Sequence, residues 1–209
     1  MIWLHHIPFF IPKIFPDLVW HKDRKQRSIY LTFDDGPVPG VTDFVLRQLE
    51  KRDMKATFFM VGDNVRKHPE LAKEVKAEGH SLGNHTFHHV NGSTTSLKDY
   101  VSEVQDCQQI LQEITGEPVR IFRPPYGRIT KQQKKALLGN MDIVMWDVLS
   151  GDFAPNLKET KILDQTKRFT RNGSIVVFHD QQKTEAVLKK VLPSYLDWVQ
   201  EQEFLTAVL

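Results

Sequence analysis

The chain has 209 residues, 40% of them hydrophobic, and a formal charge of +2. That length buries a sizeable core and makes one domain the default. The near-balanced, scattered charge argues against a nucleic-acid-binding or polybasic membrane-binding function, and the single cysteine, Cys107, excludes an internal disulfide.

Residues 1–20, MIWLHHIPFFIPKIFPDLVW, are apolar, but Pro8, Pro12 and Pro16 interrupt any continuous helix. No run approaches the roughly 18–20 apolar residues that span a bilayer. A charged start and a small-residue cleavage site are both missing, so no standard secretory signal is expected, which leaves the cytoplasm or the cell envelope as the location. Residues 1–27 are predicted to form an extended arm packed on the domain that follows (28–209). The aromatic content of the arm also fits a short membrane-surface contact.

Beyond the arm, β-rich runs alternate with helical patterns. Strands are predicted at 28–33, 55–60, 80–84, 119–123, 142–147, 174–179 and 204–209, and helices at 41–52, 68–79, 96–116, 130–140, 157–173 and 186–202. Ser96 with Asp99 suits a capping box, the Gly-Asn and Asn-Gly pairs at 139–140 and 172–173 are stop signals, and Pro193 predicts a kink or break in the last helix. Cys107 falls in the pattern VSEVQDCQQILQEI, where a buried, inert thiol is expected. Strand–helix alternation without repeats or linkers predicts one α/β domain with a parallel sheet, either a barrel or an open sheet.

Polar outliers sit where strands end, which is where parallel β/α folds gather function. TFDDGP places Asp34 and Asp35 after the first strand, and NHTFHH places His85 and His89 after the third. Arg123 with PPYG follows the fourth, DVLSGDF the fifth, and His179 ends the sixth. Singly, each has a bland explanation: acids before Gly-Pro start turns, and histidines four apart recur by chance. Jointly they form a constellation. One carboxylate and two imidazoles suit a catalytic metal with an open position. Adjacent side chains leaving a strand diverge, so one aspartate can bind the cation while the other faces a water whose pKa the cation lowers.

TFDDGP, HTFHH, RPPYG and VFHD resemble, in order, the motifs of the polysaccharide deacetylases, the NodB-homology carbohydrate esterases, from about residue 28 to the C-terminus. The resemblance implies a distorted (β/α)7 barrel and metal-dependent removal of N-acetyl, sometimes O-acetyl, groups from sugar polymers. It implies Asp34 as general base, Asp35, His85 and His89 as metal ligands, and Arg123 as the partner that orients Asp34. His179 would be the general acid, and the backbone N–H of Tyr126 an oxyanion donor. Pro125, Phe153 and Val177 would help line the substrate pocket, with Trp146 as further wall or core. His88 and His80 are expected to stay outside the ligand set. Zinc is the default ion, with cobalt, nickel or iron as alternatives. The partner is an acetylated carbohydrate, with peptidoglycan, chitin-like oligomers, capsule and lipid-linked sugars all open; no nucleic acid is expected.

The match weakens in DVLSGDF. Leu149 stands where the family often has an acid that pairs with the general-acid histidine, and Phe153 where it often has tryptophan. His179 is therefore expected to stay protonated over a narrower pH range unless Asp147 or Asp152 substitutes. Two further readings stay open: a same-fold hydrolase of O-acetyl esters or a non-sugar C–N bond, which the leucine favours slightly, and a non-catalytic sugar-binding protein on the same barrel.

Overall fold

A computed structural model describes residues 5–209; the first four residues of the predicted arm lie outside that range. The elements run in the order α1 (Ile11–Ile14), β1 (Ser28–Asp34), α2 (Thr42–Glu50), β2 (Ala56–Met60), α3 (Gly62–Lys67), α4 (Pro69–Ala77) and β3 (Ser81–Asn84). They continue with α5 (Leu97–Thr115), β4 (Ile121–Phe122), α6 (Lys131–Leu137), β5 (Asp142–Ile143), β6 (Val148–Leu149), α7 (Glu159–Phe169), β7 (Ile175–His179), α8 (Glu185–Glu201) and β8 (Leu205–Thr206). The sheet is parallel in the order β5-β4-β3-β2-β1-β7-β6, with β8 paired to the start of β1. It curls into a partial barrel with helices packed outside it.

β1 is central and covered on both faces, which is why its sequence is nearly continuously apolar. Alternation sends Ile29, Leu31 and Phe33 outward to meet Val45, Leu49, Leu188, Val191 and Tyr195 from the helices. Tyr30, Thr32 and Asp34 face the barrel interior. Thr32 is fully buried there and donates from Oγ1 to the Val176 carbonyl at 2.9 Å. α5 starts on Ser96, whose Oγ accepts from the Asp99 N–H, and ends at Gly116 in a left-handed conformation. Thr130 and Gln133 form a full capping box at the start of α6.

Two expectations are corrected, and two features were not foreseen. No break occurs at Pro193: α8 continues through it, and Leu192, Tyr195, Leu196 and Val199 bury one face of the helix on the core. The predicted strand 142–147 ends at Ile143, and β6 arises within the segment read as a loop. α3 was not foreseen; Gly62 at its start allows close approach to Phe87, where an added Cβ would lie 2.6 Å from the ring. The sheet edges β5 and β6 do not pair with each other. The arm fills the seam between them, His6 bridging Val148 antiparallel and Val19 bridging Val144 in parallel. Buried Asp147 fastens the arm, lying 3.0 Å from Arg24 and accepting from Ser174 Oγ at 2.6 Å.

Candidate active site

Asp34 is the last residue of β1, and in the parallel ladder it stands abreast of His179, the last residue of β7. Aligned residues of adjacent parallel strands share a face, so both side chains enter the barrel mouth. Two positions back in the same ladder, Val177 points the same way. Arg123, following β4, reaches in from the far wall. It is fully buried and donates from Nη1 to Asp34 Oδ1 at 2.6 Å and to Thr32 Oγ1 at 2.8 Å. Its Nη2 donates to the Met145 carbonyl at 2.9 Å, and its guanidinium lies 4.0 Å over the Phe59 ring. A surface salt bridge is excluded; this is a desolvated, fully partnered cation holding one carboxylate.

Asp35 leaves the strand with φ at 85°, a left-handed conformation that breaks the alternation and separates the two acids. Such a conformation costs about 1 kcal/mol or more outside glycine, and neighbouring bonds hold it here. Asn64 Nδ2 donates to the Asp35 carbonyl at 2.7 Å, and the Gly36 N–H donates to Asp180 Oδ1 at 3.1 Å. Asp180 is itself buried and accepts from Thr42 Oγ1 at 2.6 Å. Burial pushes its carboxyl up to about 8 against those bonds, the charge of Asp35 adding to the rise.

His85 and His89 close on Asp35, their Nε2 atoms 3.5 and 3.0 Å from its Oδ1. His85 donates from Nδ1 to the Arg123 carbonyl at 2.7 Å. A carbonyl only accepts, so Nδ1 carries a proton and Nε2 is the ring atom turned to Asp35. Asp35 Oδ1 is buried without a hydrogen bond, although the two nitrogens surround it. Burial pushes the Asp35 carboxyl up, but the imidazoles of His85 and His89 and the charge of His179 outweigh it and hold it well below the usual range. Ligand atoms of the three residues all lie within 4.8 Å of one another. An ionised carboxylate with an orphaned oxygen between converging nitrogens fits a divalent cation of the zinc type. Gln181 Nε2 donates to the other oxygen, Oδ2.

His88 faces away and pairs through Nδ1 with Glu103 at 2.8 Å. His80 is a core residue accepting from the Ala56 N–H; burial pulls it down to about 4. Burial likewise pushes the Cys107 thiol up to about 12.

Leucine at 149 does not leave His179 without a carboxylate, because one of the two allowed substitutes is in place. Asp152, three residues further on, accepts from His179 Nδ1 at 2.8 Å through Oδ1 and from the His179 backbone N–H at 2.8 Å through Oδ2. Ser150 Oγ donates to the same carboxylate at 2.9 Å. Burial pulls the His179 imidazole down, but the Asp152 carboxylate, aided by Asp35 and Asp34, pushes it up to about 9. Asp147, the other possible substitute, is committed to the arm.

Between these groups lies a cleft of about 520 Å³ whose walls include Tyr126, Trp146, Leu149, Phe153 and Val177. Phe153 packs edge-on against His179 at 5.0 Å between centroids, and Tyr126, with φ at 58°, tilts over His89 at 4.6 Å. Pro124 lines the cleft, and Pro125 is buried beside it. Sequence reasoning missed Gln181 and Asp180. Their signal was their position, directly after His179 in the motif that ends β7.

A curled parallel β/α sheet with this site at its strand ends is the distorted (β/α)7 architecture of the NodB-homology type. Comparison with known proteins agrees. The polysaccharide deacetylase family profile matches residues 21–142, and the chain belongs to that family. It is 35% identical over 78% of its length to the peptidoglycan-N-acetylmuramic acid deacetylase PdaC of Bacillus subtilis, spanning only 34% of that protein. It is 34% identical over 84% of its length to a peptidoglycan-N-acetylglucosamine deacetylase of Bacillus cereus, spanning 85% of it. Among solved structures, the Bc1960 peptidoglycan N-acetylglucosamine deacetylase superposes with a TM-score of 0.88 at 27% identity, covering 97% of this chain and 95% of that one.

Proposed function

We propose that this chain is a metal-dependent hydrolase that removes N-acetyl groups from an amino sugar in a polysaccharide or oligosaccharide. The observation that carries the proposal is the abreast pair Asp34 and His179, each bonded to its own buried, oppositely charged partner: Arg123 donates to Asp34 at 2.6 Å, and Asp152 accepts from His179 at 2.8 Å. A sugar-binding protein has no use for an opposed base and acid.

A divalent cation held by Asp35, His85 and His89 (zinc by default; cobalt, nickel or iron as alternatives) would polarise the acetyl carbonyl and lower the pKa of water towards about 7. Asp34 takes one proton from the attacking water as its oxygen bonds to the acetyl carbon. The Tyr126 N–H donates to the oxyanion that develops. His179, bound to Asp152 through Nδ1, delivers its Nε2 proton to the nitrogen as the C–N bond breaks, giving acetate and a free amine. Trp146, Leu149, Phe153 and Val177 offer an apolar wall for the acetyl methyl. Amide cleavage needs that proton more than ester cleavage does, so the Asp152 support removes the reason for favouring an O-acetyl substrate.

The test combines elemental analysis with acetate release from N-acetylglucosamine oligomers, N-acetylmuramic-acid-containing glycan, acetylated xylan and an aryl acetate. Turnover of the N-acetyl sugars, lost in Asp34→Asn by about 10²-fold or more with metal retained, is expected. Metal binding without turnover on any of them, or release from esters alone, refutes the reading; loss of metal in Asp34→Asn means the two aspartates are assigned backwards.

A further inference from the structure

The arm carries a surface that the catalytic reading does not use. Residues His5 to Ile7 run antiparallel to β6, from the Leu149 N–H bonded to the His5 carbonyl to the Ile7 N–H bonded to the Asp147 carbonyl. This takes the chain from the cleft to the opposite, N-terminal end of the parallel strands. There residues 9–15 loop around α1 and expose Phe9 (74%), Phe10 (47%), Ile14 (59%) and Phe15 (42%). Four large apolar side chains within seven residues make a patch, whereas single exposed ones are ordinary. Phe9 and Phe10 pack edge to face, and the Lys13 ammonium lies 5.6 Å from the Phe9 ring centroid.

Charge is concentrated at the same place. Residues 5–27 hold Lys13, Lys22, Arg24, Lys25 and Arg27 against Asp17 and Asp23, a net +3 in a chain whose total is +2, so the remainder is net negative. Overall balance therefore conceals a basic arm. Phe9, Lys13 and Arg24 line one open cleft of about 640 Å³ together with Arg171, from the turn before β7. The ammonium groups of Lys13, Lys22 and Lys25 form no ion pair among the described residues.

We propose that residues 9–15 and the flanking cations are a peripheral contact for an anionic lipid bilayer: the aromatic and isoleucine side chains enter the headgroup boundary and the cations meet lipid phosphates. Exposed apolar side chains of this number favour a bilayer over a nucleic acid, whose backbone is tracked by a cationic groove. Since β1 alone spans about 20 Å between the two ends, the contact leaves the cleft facing away from the bilayer.

The experiment is co-sedimentation of the full chain with phosphatidylcholine vesicles, with and without about 30% phosphatidylglycerol, at low and high salt. Binding is expected only with the anionic lipid and falls with salt. Phe9→Ser with Phe10→Ser should weaken it about tenfold per residue, and Lys13→Glu with Lys22→Glu about fivefold per position. Both variants should keep the parent melting temperature, since the Phe9 and Phe10 side chains face solvent. The proposal is overturned by equal binding to both vesicle types or none to either, or by parent-like binding of both variants. It is also overturned by a self-association that the phenylalanine variant abolishes, or by preferential capture of a single-stranded oligonucleotide.

Discussion

Replacing Asp152 by asparagine tests the proposed acid most directly. The substitution keeps size and removes the charge that lies 2.8 Å from His179 Nδ1. With the imidazole pushed up to about 9, about 97% of it is protonated at pH 7.5. Without the carboxylate, burial is opposed only by the charges of Asp35 and Asp34; with the imidazole back near its ordinary 6.5, about 9% is protonated at pH 7.5. The parent therefore loses its acid as pH rises through about 9, and the variant as pH rises through a value near 6.5. Turnover of Asp152→Asn should therefore fall about tenfold at pH 7.5 and about a hundredfold at pH 9, while at pH 5.5 the two proteins converge. A cation that cancels the Asp35 charge lowers both limbs and preserves their order. The assay is kcat for acetate release from an N-acetylglucosamine oligomer between pH 5 and 10, with metal content checked at each point. A loss of equal size at all pH values would mean that Asp152 only shapes the loop, and the reasoning would be refuted.

Leu149→Asp, by contrast, should leave the alkaline limb where it is, because His179 Nδ1 is already engaged; a widened pH range measured in the same assay would return the supporting role to that position. Arg123→Ala should cost about 3–5 kcal/mol in urea unfolding by stranding Asp34 and the Met145 carbonyl; a loss under about 1 kcal/mol would mean the pair is not desolvated. Gly36→Ala puts a Cβ 2.1 Å from Asp180 Oδ2 and should lower the melting temperature by about 6–12 °C for a cost of about 3 kcal/mol. Adding Asp180→Ala should restore part of that loss, and additive losses would contradict the clash. His89→Ala should remove most of the bound metal by elemental analysis while leaving the fold intact, since this side chain is 26% exposed; full metal content would take His89 out of the ligand set.

Much of the site was legible because it depends on local facts. Acids, imidazoles and an arginine sat at strand ends, and a parallel sheet brings strand ends together. The separation of Asp34 from Asp35 was legible as a need, but the means, a left-handed Asp35 held through Asn64 and Asp180, depends on residues distant in sequence. Asp152 was legible only as a candidate: a spacing of three residues does not reveal that Gly151, at φ 83°, turns the chain back so that the carboxylate reaches the end of β7. Pro193 misled because propensity counts one lost hydrogen bond and not the buried face of α8. The seam was invisible because the bridges of the arm join residues more than a hundred positions apart.

The way the arm closes that seam also bears on how the protein withstands trimming. A chain cut to start at Ser28 would present β5 and β6 with bare amide rows and would take Arg24 and His6 away from Asp147, leaving Arg171 as its cation. Such uncovered borders recruit strands from other molecules, so the leading segment acts as a built-in guard against aggregation.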